Sequence, residues 1–363
     1  MHNHSPSISG KSLIIRADAN SEIGIGHVMR CLALAQEWTD KGGKAVFAGN
    51  ITNEPLIKKL KNCGFEYIPI IKSYPESSSD AVQLIQAAKA APAGSWIVLD
   101  GYFFDTQYQS LIRSIHPDVM VIDDYHHLDS YDARIILNQN LGSETIAYKT
   151  NGKASVLSGS RYAMLRKEFR NTSSTSGQVN NYAATKILIS MGGADTHNAS
   201  LSVLKALSSL EDKTQVTLIV GPANPHLNSL EQFSEVSTLK FSIKSNVENM
   251  AEIIAENDIF IGAGGSSCWE VCCLAKPLII ITTAENQVRL SHKLAEAEAA
   301  IYLGKAENVE RNEIQRAVAS LISSPEARKK LTDNARTIID GKGVSRIVET
   351  LAANSSYISQ TGD

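Results

Sequence analysis

At 363 residues the chain exceeds one average domain and suits two, and its 43% hydrophobic content is enough for two sizeable cores. A formal net charge of −3, with 20% charged residues and no Lys/Arg run interleaved with aromatics, argues against a nucleic-acid partner or an anionic membrane surface. No apolar run is long enough to span a bilayer, and the polar opening MHNHSPSISGKS lacks the apolar stretch of a signal peptide, so the expectation is a cytoplasmic protein with no membrane partner.

In chain order, SLIIRAD, KAVFAG, FEYIPI, SWIVLD, DVMVIDD and ARIILNQN are short apolar runs with the β-branched and aromatic enrichment of buried strands. After the first of them, SEIGIGHVMRCLALAQ sets two glycines ahead of a helix in which Val28, Cys31, Leu32 and Ala35 repeat at i, i+3, i+4, i+7. Gly42 and Gly43 end that helix, and Asp105 heads another as its N-cap. The stretch 171–185 is polar and rich in Ser, Thr and Asn, and reads as a linker. Strands then resume as KILISMGG, TQVTLIVG, TLKFSI, DIFIGAG, PLIIIT and AIYLG, followed by helical stretches over 312–324 and 325–340; the tail beyond Asn354 has no periodicity. This alternation predicts an α/β protein of two Rossmann-like domains, 1–170 and 186–363, with parallel sheets facing a central cleft. Ligands of such sheets bind beyond the carboxyl ends of the strands.

The G-x-G before the first helix invites a dinucleotide reading, but Met29 occupies the third glycine position and 46–49 hold no acidic residue for a ribose. What remains is a glycine loop and a helix whose first turn carries His27. A positive helix end disfavours imidazolium, leaving a neutral ring able to accept a proton. The residues alone leave two readings open, a general base or a histidine that packs locally. Arg16, Asp18 and Arg30 flank it and could orient the ring or a substrate.

Two later glycine loops, Gly192–Gly193 and Gly262/Gly264/Gly265 followed by Ser266, precede helices; each reads as a phosphate cradle or as a plain turn. Cys268 and Cys272 share one helix face, but no C-x-x-C or His partner accompanies them, so buried thiols are expected rather than a metal. Asp123 and Asp124 also invite a metal; with no third ligand in view, hydrogen-bonding roles are expected, and His126 and His127 read as surface residues. Neither metal nor cofactor is expected.

RADANSEIGIGHVMRCLALA, VLDGYFFD, VIDDYHH, ILNQN, SGSRYAMLRKEF, ISMGGAD, GAGGSSCWE and ENQ occur in order from Arg16 to Gln287. This set resembles the UDP-2,4-diacetamido-2,4,6-trideoxy-β-L-altropyranose hydrolases of pseudaminic acid biosynthesis, a pathway of flagellin and surface-glycan glycosylation, and through them the two-domain (GT-B) glycosyltransferases. The resemblance implies a hydrolase with His27 as base, and a sugar site including Arg16, Asp18, Gly26, Arg30, Tyr102, Asn286 and Gln287. It also implies a UDP site of Gly192, Gly193, Gly264, Gly265 and Ser266, with Glu270 on the ribose and the backbone of Val247 on the uracil. The implied partner is a small UDP-sugar, from which water would release UDP and the free sugar with inversion. A transferase or epimerase on the same scaffold, and a nucleotide-sugar-binding protein without catalysis, are the alternatives. The stereochemistry of the sugar and the oligomeric state are not legible in the sequence.

Overall fold

Period-two burial explains the strands of the N-terminal half. In β1 (Ser12–Ala17), Leu13, Ile15 and Ala17 enter one apolar cluster while Ile14 enters another on the opposite face. In β4 (Trp96–Asp100), Trp96 and Val98 alternate with Ile97 and Leu99 in the same way. A strand apolar on both faces needs cover on both, which is the condition for a parallel sheet under two helix layers. The structure, a computed structural model, describes residues 7–20, 22–71, 79–173, 184–208, 214–221, 224–245 and 247–355. With β2 (Lys44–Gly49), β3 (Glu66–Pro69), β5 (Val119–Ile122), β6 (Ile135–Asn138) and β7 (Ser155–Ser158), these strands form one parallel sheet in the order β3-β2-β1-β4-β5-β6-β7. The helix Gly26–Asp40 covers one face with fully buried Val28, Cys31, Leu32 and Ala35, the stripe its spacing predicts. The larger of these, Val28 and Leu32, each contribute roughly 1.5–3 kcal/mol by leaving water. Asp105 caps the helix Thr106–Ile115 through the amide of Tyr108, again as read.

The second sheet is built alike. β8 (Lys186–Ser190), β9 (Gln215–Val220), β10 (Phe241–Ser245), β11 (Ile259–Gly262), β12 (Leu278–Thr282) and β13 (Ile301–Lys305) run parallel in the order β10-β9-β8-β11-β12-β13. Ile187, Ile189, Ile261, Ile279 and Ile281 share a core with the helices Ala199–Leu207 and Arg311–Ser323. In both sheets the chain starts at an inner strand and builds outward in both directions. The order therefore reverses between β1 and β4 in one sheet and between β8 and β11 in the other, and crevices at such reversals are where open α/β sheets bind ligands.

The boundaries differ from the sequence expectation. The chain divides into two units, Met1–Lys167 together with Lys342–Asp363, and Glu168–Gly341. The second domain thus ends at Gly341, and the helix Gly343–Asn354, which the sequence reading assigned to the second domain, belongs to the first. Its Val344, Ile347, Val348 and Leu351 lie in the same cluster as Val28 and Leu32, and its Leu351 carbonyl accepts the indole N–H of Trp96 at 3.0 Å. Gly343 permits the docking, because a Cβ there would lie 2.2 Å from the Ala163 carbonyl oxygen. Of the expected linker, 171–173 close the helix Lys167–Ser173 and 174–183 lie outside the described residues.

Candidate active site

The loop after β1 is shaped by Asn20, whose side-chain oxygen accepts the amides of Ile23 at 2.9 Å and Glu22 at 3.0 Å. Gly24 then takes a left-handed φ of 75°, a turn that costs glycine nothing. Gly26, exposed, starts the helix, which has neither a side-chain cap nor an acidic residue in its first turn. His27 on that turn is 8% exposed, and its Nδ1 lies 2.6 Å from Oδ1 of Asp100. Asp100 ends β4 and is register partner of Ala17, so the pair stands at the strand-order reversal. Asp100 is wholly buried. Burial alone would raise its carboxyl, but Arg30 and then His27 overcome this and hold it well below the usual carboxylate range. An ionised Asp100 makes Nδ1 the donor and sets the tautomer. Nε2 has no hydrogen bond among the described residues. This is the arrangement that lets a histidine take a proton while its other nitrogen is held in place.

Arg30 builds the frame around the pair. Its Nε donates to Asp100 Oδ2 at 2.7 Å and its Nη2 to Oδ1 at 2.6 Å, while Nη1 donates to both oxygens of Asp124 at 2.7 and 2.9 Å. Tyr102, expected at the sugar, donates its hydroxyl to Asp124 at 2.7 Å and presents its ring edge-on to His27 at 5.0 Å. Burial and then the Asp124 charge push the Tyr102 phenol above its usual range, so it remains a donor. Cys31 adds a weak thiol donor to Asp100 at 3.2 Å. Arg30, expected to orient His27 or the substrate, spends its fork on two carboxylates, one of them the partner of His27, and its Nη2 also lies 3.2 Å from His27 Nδ1.

Arg16 and Asp18 are a correction. Arg16 is fully buried, bonded by its guanidinium to Asp18 and, at 2.6–3.3 Å, to Asp80, whose carboxylate also accepts the Tyr108 hydroxyl at 2.6 Å. Asp18 accepts the Asn50 amide at 2.7 Å. A guanidinium enclosed this way ties β1 to the helix Ser79–Lys89 and has no donor exposed to a substrate.

Sequence reasoning missed a second His–Asp pair. His127 Nδ1 lies 2.8 Å from Oδ1 of the buried Asp123, which also accepts the hydroxyls of Tyr148 at 2.6 Å and Tyr131 at 2.9 Å and the His126 amide at 2.8 Å. Burial would raise the Asp123 carboxyl, but these donors, His127 foremost, hold it well below the usual range. The expected hydrogen-bonding roles of Asp123 and Asp124 are what the structure contains, whereas His127, expected at the surface, is largely buried. Among the described residues no three His, Cys, Asp or Glu side chains converge as metal ligands.

In the second domain Gly192 and Gly193 follow β8 and Gly264 and Gly265 follow β11, flanking the other reversal. Gly192 has φ 81°, and a Cβ at Gly192, Gly193 or Gly265 would meet nothing within 4 Å. Gly264 is different: its Cβ would lie 2.2 Å from Ser291 Oγ, so it serves close packing. The helix after Gly193 is not open to an anion, because buried Asp195 already takes the amides of Ala199 at 2.8 Å and Ser200 at 3.0 Å. Ser266 is exposed ahead of the helix Ser267–Cys273, on which Glu270 is half-buried; Val247, ahead of the helix Met250–Glu256, is half-buried too. Asn286 is exposed, whereas Gln287 turns its side-chain oxygen inward to the amides of Thr283 at 2.8 Å and Ala284 at 3.1 Å. Cys268 and Cys272 are buried, and burial pushes the Cys272 thiol up to about 12, as expected of inert core thiols.

Known proteins match this layout. Residues 186–351 match the glycosyltransferase family 28 C-terminal domain. An uncharacterized protein of Methanocaldococcus jannaschii is 26% identical over 283 residues, which cover 76% of this chain and 56% of that protein, so the chain spans little more than half of this relative. The UDP-2,4-diacetamido-2,4,6-trideoxy-β-L-altropyranose hydrolase of Campylobacter jejuni is 24% identical over 278 residues, 76% of this chain and 93% of the hydrolase. Among solved structures, MurG of Acinetobacter baumannii superposes with a TM-score of 0.63 at 15% identity, covering 94% of this chain and 99% of MurG. UDP-GlcNAc 2-epimerase of Neisseria meningitidis, bound to UDP-GlcNAc, gives 0.62 at 14% identity, covering 94% and 100%. The chain therefore has the GT-B fold of two Rossmann-like domains.

Proposed function

We propose that the protein hydrolyses a UDP-linked 2,4-diacetamido-2,4,6-trideoxy sugar to UDP and the free sugar. The observation that carries this reading is the His27–Asp100 pair, with Nδ1 tied to an ionised carboxylate and no hydrogen bond to Nε2 among the described residues. Water attacks the anomeric carbon from the face opposite UDP while His27 Nε2 takes its proton, and the C1–O bond to UDP breaks with inversion. The loops at Gly192–Gly193 and Gly265–Ser266 hold the diphosphate by backbone N–H groups, which offset the charge of departing UDP. Glu270 accepts the ribose hydroxyls, the backbone of Val247 meets the uracil, and Asn286 with the amide end of Gln287 reaches the sugar side. Tyr102 and Gly26 border the sugar. The ordered motifs shared with the hydrolases and the match to the Campylobacter jejuni enzyme support the choice of substrate. The protein acts on a small molecule in the cytoplasm without a metal or cofactor.

A second reading, transfer of the sugar to an acceptor, is favoured by the family 28 match over 186–351. Incubation with the UDP-sugar in heavy-oxygen water and no acceptor separates the two. Free UDP with label in the sugar is the expected result; intact substrate, or label in the phosphate, overturns hydrolysis at carbon. His27→Asn should lower turnover by about 10²–10⁴-fold and leave UDP affinity unchanged.

A further inference from the structure

His127 makes the same kind of contact as His27 and stands one ring away from it. The Tyr102 ring meets His27 at 5.0 Å and 78° on one side and His127 at 5.7 Å and 75° on another, and Tyr125 packs against both Tyr102 at 5.0 Å and His127 at 5.4 Å. Tyr125 is 48% exposed, so this aromatic group reaches the surface. Asp123, ionised and holding hydroxyl and amide donors besides His127, makes Nδ1 of His127 a donor. A neutral ring then carries a lone pair at Nε2. That atom is buried and has no hydrogen-bond partner among the described residues. A buried polar atom without a partner costs about 1–3 kcal/mol and is rare enough to need a reason. The backbone adds to that need: His126 adopts a left-handed φ of 59°, uncommon for a residue with a β-carbon, and donates its amide to Asp123. The turn thus clamps the next ring by one nitrogen and leaves the other bare.

We propose that His127 is a second sugar-recognising histidine, whose buried Nε2 accepts a hydrogen bond from a hydroxyl or acylamino N–H of the glycosyl group bound beside His27. This rests on the reading of the site as a sugar-nucleotide site. It assigns His127 recognition of the sugar and leaves the proton transfer to His27. A site that offers an acceptor to a sugar donor rejects analogues lacking that donor, because the acceptor is then left unpaired.

Two substitutions divide the imidazole. His127→Asn keeps an amide donor where Nδ1 meets Asp123 and removes the acceptor; His127→Gln reaches the Nε2 position and gives up the Asp123 contact. Both are made in His27→Asn protein, which keeps the substrate intact, and titrated calorimetrically with UDP and with UDP-2,4-diacetamido-2,4,6-trideoxy-β-L-altropyranose, with melting temperatures alongside. The expected result is about a 10-fold or greater loss of UDP-sugar affinity in the Asn variant, unchanged UDP affinity, and recovery to within about threefold in the Gln variant. An Asn variant that binds the UDP-sugar like its parent, beside a Gln variant that melts lower, makes His127 a prop for Asp123 and overturns the inference alone. A parent that binds the UDP-sugar no better than UDP overturns both the inference and the sugar-nucleotide reading.

Discussion

The two strand-order reversals of this molecule are furnished in opposite ways. At the first, between β1 and β4, the loops carry ionisable side chains locked to one another: His27 to Asp100, Arg30 to Asp100 and Asp124, His127 to Asp123. At the second, between β8 and β11, the loops carry Gly192, Gly193 and Gly265, whose outer faces are clear of other atoms. One place holds side chains in set orientations, as chemistry on a small group requires. The other offers backbone, as close approach to a phosphate requires. On the proposed function, the duplicated architecture would divide the work between side chains and main chain, and substitutions at the two places should fail differently.

The sharpest break is Asp100→Asn. The amide cannot satisfy both the Arg30 fork and His27 Nδ1–H, since one of its ends is a donor facing donors. Turnover should fall by about 10²–10⁴-fold while UDP affinity holds; a rate within threefold would reduce Asp100 to an anchor for Arg30. The variant also tests the pH behaviour. The carboxyls of Asp100 and Asp123 lie well below their usual range in the fold, so the stability they contribute is present above about pH 4 and is lost as pH falls through the folded values. Thermal melting of the native protein should drop on acidification below about pH 4, and less steeply in Asp100→Asn.

Much of this was legible, and the failures share a cause. The helix Gly26–Asp40 was visible because its apolar period is local, and Asp105 because a cap acts three residues away. His27 stood out because glycines precede it. Its partner lies 73 positions on and meets it only because β1 pairs with β4, a matter of strand order that no local pattern carries. His127 was hidden by one positive φ, which turns a ring that reads as exposed back onto Asp123. The apolar stripe Val344, Ile347, Val348, Leu351 was readable as a helix, but not its return to the first domain. Arg16 did leave a signal: an arginine inside a buried apolar strand must have buried carboxylate partners.

Arg16 supplies the next test, because it separates scaffold from site within the first domain. Arg16→Met leaves Asp18 and Asp80 buried without their cation and should cost about 3–5 kcal/mol in urea unfolding. The folded fraction should keep its KM for the UDP-sugar. A raised KM at unchanged stability would return Arg16 to the sugar site.

The smallest effects lie in the second domain and come from adjacent glycines. Gly264→Ala places a methyl against Ser291 Oγ and the Gln287 carbonyl, at 2.2 and 3.0 Å, so the loop and the helix Val288–Glu296 must shift. Overpacking of this kind costs about 1–3 kcal/mol and should appear as a lower melting temperature. Gly265→Ala meets nothing within 4 Å and its φ is not left-handed, so melting should be unchanged. On the proposed function its methyl would enter the space a diphosphate takes, and UDP affinity measured by calorimetry should fall by about 5–10-fold, an effect near 1 kcal/mol. If Gly265→Ala binds UDP as well as the native chain, the loop after β11 is a plain turn, and the division between side-chain chemistry and backbone binding has lost its second half.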